Sequence, residues 1–186
     1  MERRDFILTG SIAAVATLPI VTLGQQKKTK TQTRSKGFLV KSKESRFGEK
    51  TIIGKSPNDI KVSTKDTGGD LTIFEYTGNA KGGPPLHIHP MQDEIFYILE
   101  GEYIFQVGEE KFNAKSGDTV FAPRQTPHTF AQISEKGKMF YLFQPSGKME
   151  DFFRKAGQEK GVPTPEEGAK LFADHDMKIV GPPLQF

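Results

Sequence analysis

The chain has 186 residues, 35% of them hydrophobic and 26% charged. That is enough for one globular domain with terminal extensions, and too polar for a multi-span membrane protein. It has no cysteine, and its net charge of +3 is uneven: residues 1–36 carry seven Lys or Arg against two acids, while the rest carries 19 against 21. Disulfides, thiolate nucleophiles, cysteine zinc sites and iron–sulfur clusters are therefore excluded, and the main domain lacks the cationic surface that nucleic-acid binding requires.

The N-terminus opens with Arg3 and Arg4, and after Asp5 no charged residue occurs until Lys27. Residues 1–24 resemble a twin-arginine (Tat) signal peptide, with Thr22-Leu23-Gly24 as a cleavage site. The departures are Glu2 before the arginine pair, a short n-region and no A-x-A site at the end of the apolar run. The expected location is periplasmic or otherwise extracytoplasmic, with no stable membrane insertion once the signal is removed. The alternative is an uncleaved N-terminal anchor, because about 18 apolar residues can span a bilayer. Residues 25–36 contain no apolar side chain and read as a disordered basic linker.

From residue 37 to 146, short apolar or alternating segments are separated by Gly, Pro, Asn and Asp, the pattern of an antiparallel β-barrel or sandwich. Strands are expected at Thr51–Ile53, Ile60–Val62, Leu71–Tyr76, Glu94–Leu99, Tyr103–Val107, Glu110–Ala114, Thr119–Ala122, His128–Ile133 and Met139–Gln144. Gly101-Glu102 and Gly108-Glu109 are expected to be hairpin turns. No helical period interrupts this region. Residues 147–186 differ: Met149–Ala156 and Pro165–Ala173 have helical spacing, the second begun by proline and acids. An extended Ile179–Leu184 closes the chain, and the whole extension is expected to pack on the barrel.

Three of the four histidines fall in two patterned segments. His87 and His89 are spaced i, i+2 on an expected strand, so both imidazoles point to one face and a metal can bridge them. Glu94 heads an alternating strand in which Phe96 and Ile98 share its face. His128 begins a third strand, with Phe130 and Gln132 on its face, and together these residues line one pocket. His175, between Asp174 and Asp176, reads as an exposed loop histidine without function. The acids Asp93 and Glu94 point to opposite sides of their strand, which excludes a paired-carboxylate glycosidase.

These segments resemble the two motifs of the cupin superfamily. The first, G(X)5HXH(X)3,4E(X)6G, is met by His87, His89, Glu94 and Gly101, with the leading glycine offset by one at Gly82. The second, G(X)5PXG(X)2H(X)3N, is met by Gly117, Pro123 and His128, with Gln125 in place of the glycine and Gln132 in place of the asparagine. Gln125 puts the turn before His128 in question, because glycine takes positive φ without steric cost. The tail, with Asp151-Phe152-Phe153 and Val180-Gly181-Pro182-Pro183-Leu184, is similar to single-domain quercetin 2,3-dioxygenase-like cupins.

The resemblance implies an all-β jelly-roll barrel with short C-terminal helices, and pairing into a homodimer. Three imidazoles and one carboxylate leave open positions on a six-coordinate ion, favouring one Fe, Mn, Ni, Co or Cu over Zn. Such a centre orients an enolate-like or hydroxyketone-like small molecule beside dioxygen, with Glu94 either ligating or taking the substrate's hydroxyl proton. The expected function is a metal-dependent dioxygenase acting on a small aromatic or enolisable compound. Phe96, Phe130 and Gln132 are its expected substrate-pocket residues. The alternatives are a non-catalytic small-molecule-binding or sensing barrel and a metal-dependent isomerase.

Overall fold

The computed structural model describes residues 36–159, 161 and 163–186. The expected signal peptide, and the linker up to residue 35, lie outside the described residues. Among the described residues, no helix is long and apolar enough to cross a membrane.

Eleven strands are described, in two antiparallel sheets. The first contains, in spatial order, β1 (Ile52–Ile53), β2 (Ser56–Val62), β3 (Thr72–Gly78), β10 (Gly137–Gln144), β5 (Asp93–Glu100) and β8 (Thr119–Ala122). The second contains β11 (Lys178–Pro183), β4 (Pro85–Ile88), β9 (His128–Gln132), β6 (Glu102–Val107) and β7 (Glu110–Lys115). The architecture is the expected jelly roll.

Alternation decides which side of each strand enters the core. On β5, Glu94, Phe96 and Ile98 are buried; on β10, Met139, Tyr141 and Phe143 are buried. Phe74 stacks on Tyr141 with ring centroids 5.3 Å apart, and Phe96 lies 5.0 Å from Phe105 of the opposite sheet. Burying each such ring stabilises the fold by about 1.5–3 kcal/mol. Phe121 and Phe140, by contrast, lie on the alternate face of their strands, and Phe121 is 55% exposed.

Two local expectations change. Gly108-Glu109 does join paired neighbours, since Val107 faces Glu110 across the β6–β7 hairpin. Gly101-Glu102 instead turns a corner, because β5 belongs to the first sheet and β6 to the second. Gly101 has φ 89° there, and a Cβ on it would lie 2.6 Å from the Lys136 carbonyl oxygen, so backbone strain and crowding both require glycine. A short helix, α1 (Thr64–Thr67), also interrupts the strand region. Its start is capped by Ser63, whose Oγ accepts from the Lys65 N–H while Asp66 accepts from the Ser63 N–H, a pattern written in the Ser-Thr-Lys-Asp run.

Helices α2 (Met149–Ala156) and α3 (Pro165–Asp174) follow the barrel. Phe153 of α2 packs 4.6 Å from Phe74 and 5.5 Å from Tyr141. β11 then pairs with β4, placing Ile179 opposite His87. His175 corrects its sequence reading: it is only 3% exposed, its Nδ1 lies 2.7 Å from the Leu171 carbonyl and its ring 5.7 Å from Phe152. The charged neighbours suggested a solvated loop, but the helix end folds this ring inward.

Candidate metal centre

Three strand segments bring four side chains to one point. β4 carries His87 and ends just before His89, β5 carries Glu94, and β9 begins at His128, directly opposite His87. The i, i+2 spacing puts both β4-side imidazoles on the interior face. One ligand atom from each of the four residues lies within 4.8 Å of all the others. The four side chains belong to residues only 1–7% exposed.

Hydrogen bonds orient the rings. His87 Nδ1 lies 2.8 Å from the Pro85 carbonyl and His128 Nδ1 lies 2.9 Å from the Thr126 carbonyl. A carbonyl only accepts, so both Nδ1 atoms carry the proton and both Nε2 atoms present lone pairs to the cluster. His87 Nε2 is 3.1 Å from His89 Nε2, and His128 Nε2 is 2.9 Å from Glu94 Oε2. Lone pairs facing one another at that distance repel unless positive charge sits between them, as a proton or as a cation. This is the arrangement of a metal site, with backbone carbonyls fixing the ligand tautomers from behind.

The electrostatics follow from that crowding. Burial, then the charge of His128, pushes His87 down to about 3 despite the Pro85 contact. His89 is driven well below its usual value by burial and then by His87 and His128. Burial raises Glu94, opposed by the hydrogen bond and charge of His128. Burial pulls His128 down, but the hydrogen bond and charge of Glu94 outweigh it, and the net direction is upward. Neutral imidazoles and a carboxylate are the donor set of a divalent transition metal.

The turn before His128 survives the loss of glycine. Gln125 occupies the left-handed region at φ 66°, and its N–H donates to the His89 carbonyl at 2.9 Å. That bond ties the loop before one ligand to the backbone of another. Arg124, beside it, is engaged by Asp93: its Nε donates to Oδ1 at 3.0 Å and its Nη2 to Oδ2 at 2.6 Å. Those hydrogen bonds hold the Asp93 carboxyl down to about 2.

Two of the expected pocket residues pack among the aromatic rings of the core. Phe96 and Phe130 pack against one another, 6.0 Å apart, and Phe130 also meets Tyr76 and Phe105. Gln132 is fully buried at the far end of β9, its Nε2 donating to the Ser134 carbonyl at 2.9 Å. The aromatic rings against the ligands are instead Phe143, 5.2 Å from His89, and Phe172, 5.5 Å from His87. Phe143 is legible in the sequence as an inward position of an alternating strand. Phe172 is not, because it reaches His87 only through the packing of α3.

Residues 73–144 match the family model described as Cupin domain. This stretch is similar to a cupin domain. The chain is 28% identical over 114 residues to the quercetin 2,3-dioxygenase of Bacillus subtilis, a match covering 61% of this chain and 34% of that protein. It is 46% identical over 48 residues to an uncharacterised protein of Methanocaldococcus jannaschii, covering 26% and 38%. The chain thus spans little more than a third of either relative. Among solved structures, an RmlC-like cupin from Shewanella frigidimarina superposes with a TM-score of 0.52 and 20% identity, covering 64% of this chain and 97% of that one. KdgF from Halomonas sp. superposes with a TM-score of 0.51 at 20% identity, covering 60% and 94%. At that identity the superpositions establish the fold.

Proposed function

We propose that His87, His89, Glu94 and His128 hold one divalent transition metal, and that the protein is a dioxygenase-type oxidoreductase for a small aromatic or enolisable compound. The observation that carries this reading is the convergence of four buried donor atoms, two of the imidazoles oriented by backbone carbonyls. The partial similarity to quercetin 2,3-dioxygenase supports the choice of reaction class.

A bound metal at this set supplies Lewis acidity and electron transfer to substrate and dioxygen. The chain's own residues do the rest. Glu94, whose Oε2 lies 2.9 Å from His128 Nε2, accepts the proton of a substrate hydroxyl. His128 is placed to share that proton. Phe143 and Phe172 keep bulk water from the imidazoles.

The test is elemental analysis of protein purified without an affinity-metal column under low oxygen, followed by oxygen uptake with flavonols and other enols. About one Fe, Mn, Ni, Co or Cu per chain, with enol-dependent uptake, supports the reading. Loaded protein that consumes no oxygen moves it to a ligand-holding barrel, a second reading favoured by the deep burial of the ligands. Zinc alone moves it to an isomerase.

Export rests on Arg3, Arg4 and the uncharged run after them; a folded reporter fused to residues 1–30 should lose export when both arginines become lysine. Homodimer formation is supported by an apolar row on the outer sheet face, Ile73–Leu142–Ile95–Phe121. Sedimentation of Phe121→Glu as a monomer, with wild type as a dimer, would bear it out.

A further inference from the structure

The two helices after the barrel are fastened in different ways. Helix α2 is locked by Glu150, which accepts from Ser63 Oγ, the Thr64 N–H, Thr72 Oγ and Arg154 Nη2. Three of these donors come from the segments around α1 and β3, so α2 cannot move without stranding a buried carboxylate. Helix α3 has no such anchor. Its residues Pro165, Glu166, Glu167, Ala169 and Lys170 are exposed, and Phe172 is its one buried side chain.

That one side chain sits on the cluster. The Phe172 ring meets His87 edge-to-face at 5.5 Å and rests on Phe152 of α2 at 5.0 Å. His87 is the most exposed of the four cluster residues at 7%, against 1%, 5% and 1% for His89, Glu94 and His128. Phe172 thus covers one side of the most exposed of the four cluster residues. Beyond it the chain turns at Asp176, which takes φ 61°, and enters β11 beside β4. The helix is thus tied at its C-terminal end and bare along its first two turns. Both α2 and α3 lie outside the stretch matched by the family model, which ends at residue 144.

We infer that α3 is a removable cover of the four-residue cluster, seated on α2 and closed by Phe172, and that metal and small molecules reach the cluster only when α3 lifts. This rests on the metal reading above. With α2 fixed and α3 seated by Phe172, the half-buried Leu171 and the His175 ring on Phe152, opening requires these side chains to leave their seats and leaves the barrel intact. The size of the side chain at position 172 then sets how readily the cluster is reached, and a flat aromatic substrate can take the place of the Phe172 ring against His87.

The experiment uses full-length protein loaded with Co(II) and follows loss of the metal to excess chelator. Phe172→Ala is expected to release cobalt about tenfold faster than wild type, and Phe172→Leu to fall between them. Lys148→Ala removes an exposed tie to the segment after α3, where Lys148 Nζ lies 2.9 Å from Asp176 Oδ1; it should speed release about twofold. Phe105→Ala, whose ring lies in the core among Phe96, Tyr103 and Phe130, controls for general loosening and should leave the rate within about twofold. Hydrogen exchange on the metal-free protein gives the independent readout: α3 amides should exchange at least about tenfold faster than those of α2. One cobalt per chain in both wild type and Phe172→Ala, with equal release rates, overturns the cover. Equal protection of the two helices does so without reference to metal. Failure of wild type to hold cobalt, with α3 still exchanging fast, overturns the metal reading and leaves only a mobile helix.

Discussion

The two ends of β9 meet the same physical problem and answer it differently. His128, at the start of the strand, and Gln132, about 13 Å along it, are both buried polar side chains on one face. At the His128 end the polar atoms face one another: three imidazoles and a carboxylate converge within 4.8 Å. At the Gln132 end they are fitted into backbone. A Cβ on Gly78 would lie 1.7 Å from Gln132 Oε1, and one on Gly137 would lie 2.2 Å from the Tyr103 hydroxyl. The first arrangement concentrates lone pairs and invites a cation. The second packs an amide against glycine backbone: Gln132 Nε2 donates to the Ser134 carbonyl, while Gln132 Oε1 and the Tyr103 hydroxyl are buried without a hydrogen-bond partner.

The sharpest way to break that contrast is at the ligand end. His128→Ala should lower bound metal by at least about tenfold while the protein stays folded, read by elemental analysis beside circular dichroism. Retention of full metal would mean that the two ends do not differ in kind. At the other end, Gly137→Ala should destabilise the fold by about 1–3 kcal/mol, as overpacking does, with metal stoichiometry unchanged; denaturant unfolding measures this.

Asp59 sharpens the comparison from outside the barrel. Like Glu94 it is a buried carboxylate, but its Oδ1 has no hydrogen-bond partner and Glu75 stands opposite it on β3. Burial raises its pKa, with lysines 50, 61 and 138 opposing and Glu75 assisting. The folded protein therefore holds that proton more tightly than the unfolded chain, and this contribution to stability is lost as pH rises through the folded-state pKa. Asp59→Asn should raise Tm by a few degrees at about pH 7, and the gain should shrink as pH falls toward about 4. The smallest effect is expected at Gln125. Replacing this left-handed residue with glycine should stabilise by about 0.5 kcal/mol, strain relief outweighing the added freedom of the unfolded chain.

Much of the ligand end was legible in the chain because its geometry is local. An i, i+2 pair must share a strand face, and Glu94 and His128 each open an alternating segment, so spacing alone put their side chains inward. The Gln132 end was not legible: an amide beside Phe130 reads equally well as pocket or packing until Gly78 and Gly137 are seen against it. Gly101 shows the same limit, since a glycine between two strands reads as a hairpin whether the strands pair or part into different sheets.

By itself, then, the sequence determined the alternation of the barrel strands, the inward placement of His87, His89, Glu94 and His128, and the helical character of the tail, all consequences of backbone periods only a few residues long. Tertiary structure decided which strands share a sheet, that His175 turns inward, that Phe96 is buried with the half-buried Phe130 packed against it, and that Phe172 meets His87. Those outcomes depend on contacts between residues far apart in the chain, and no local period records which distant surface a side chain will meet.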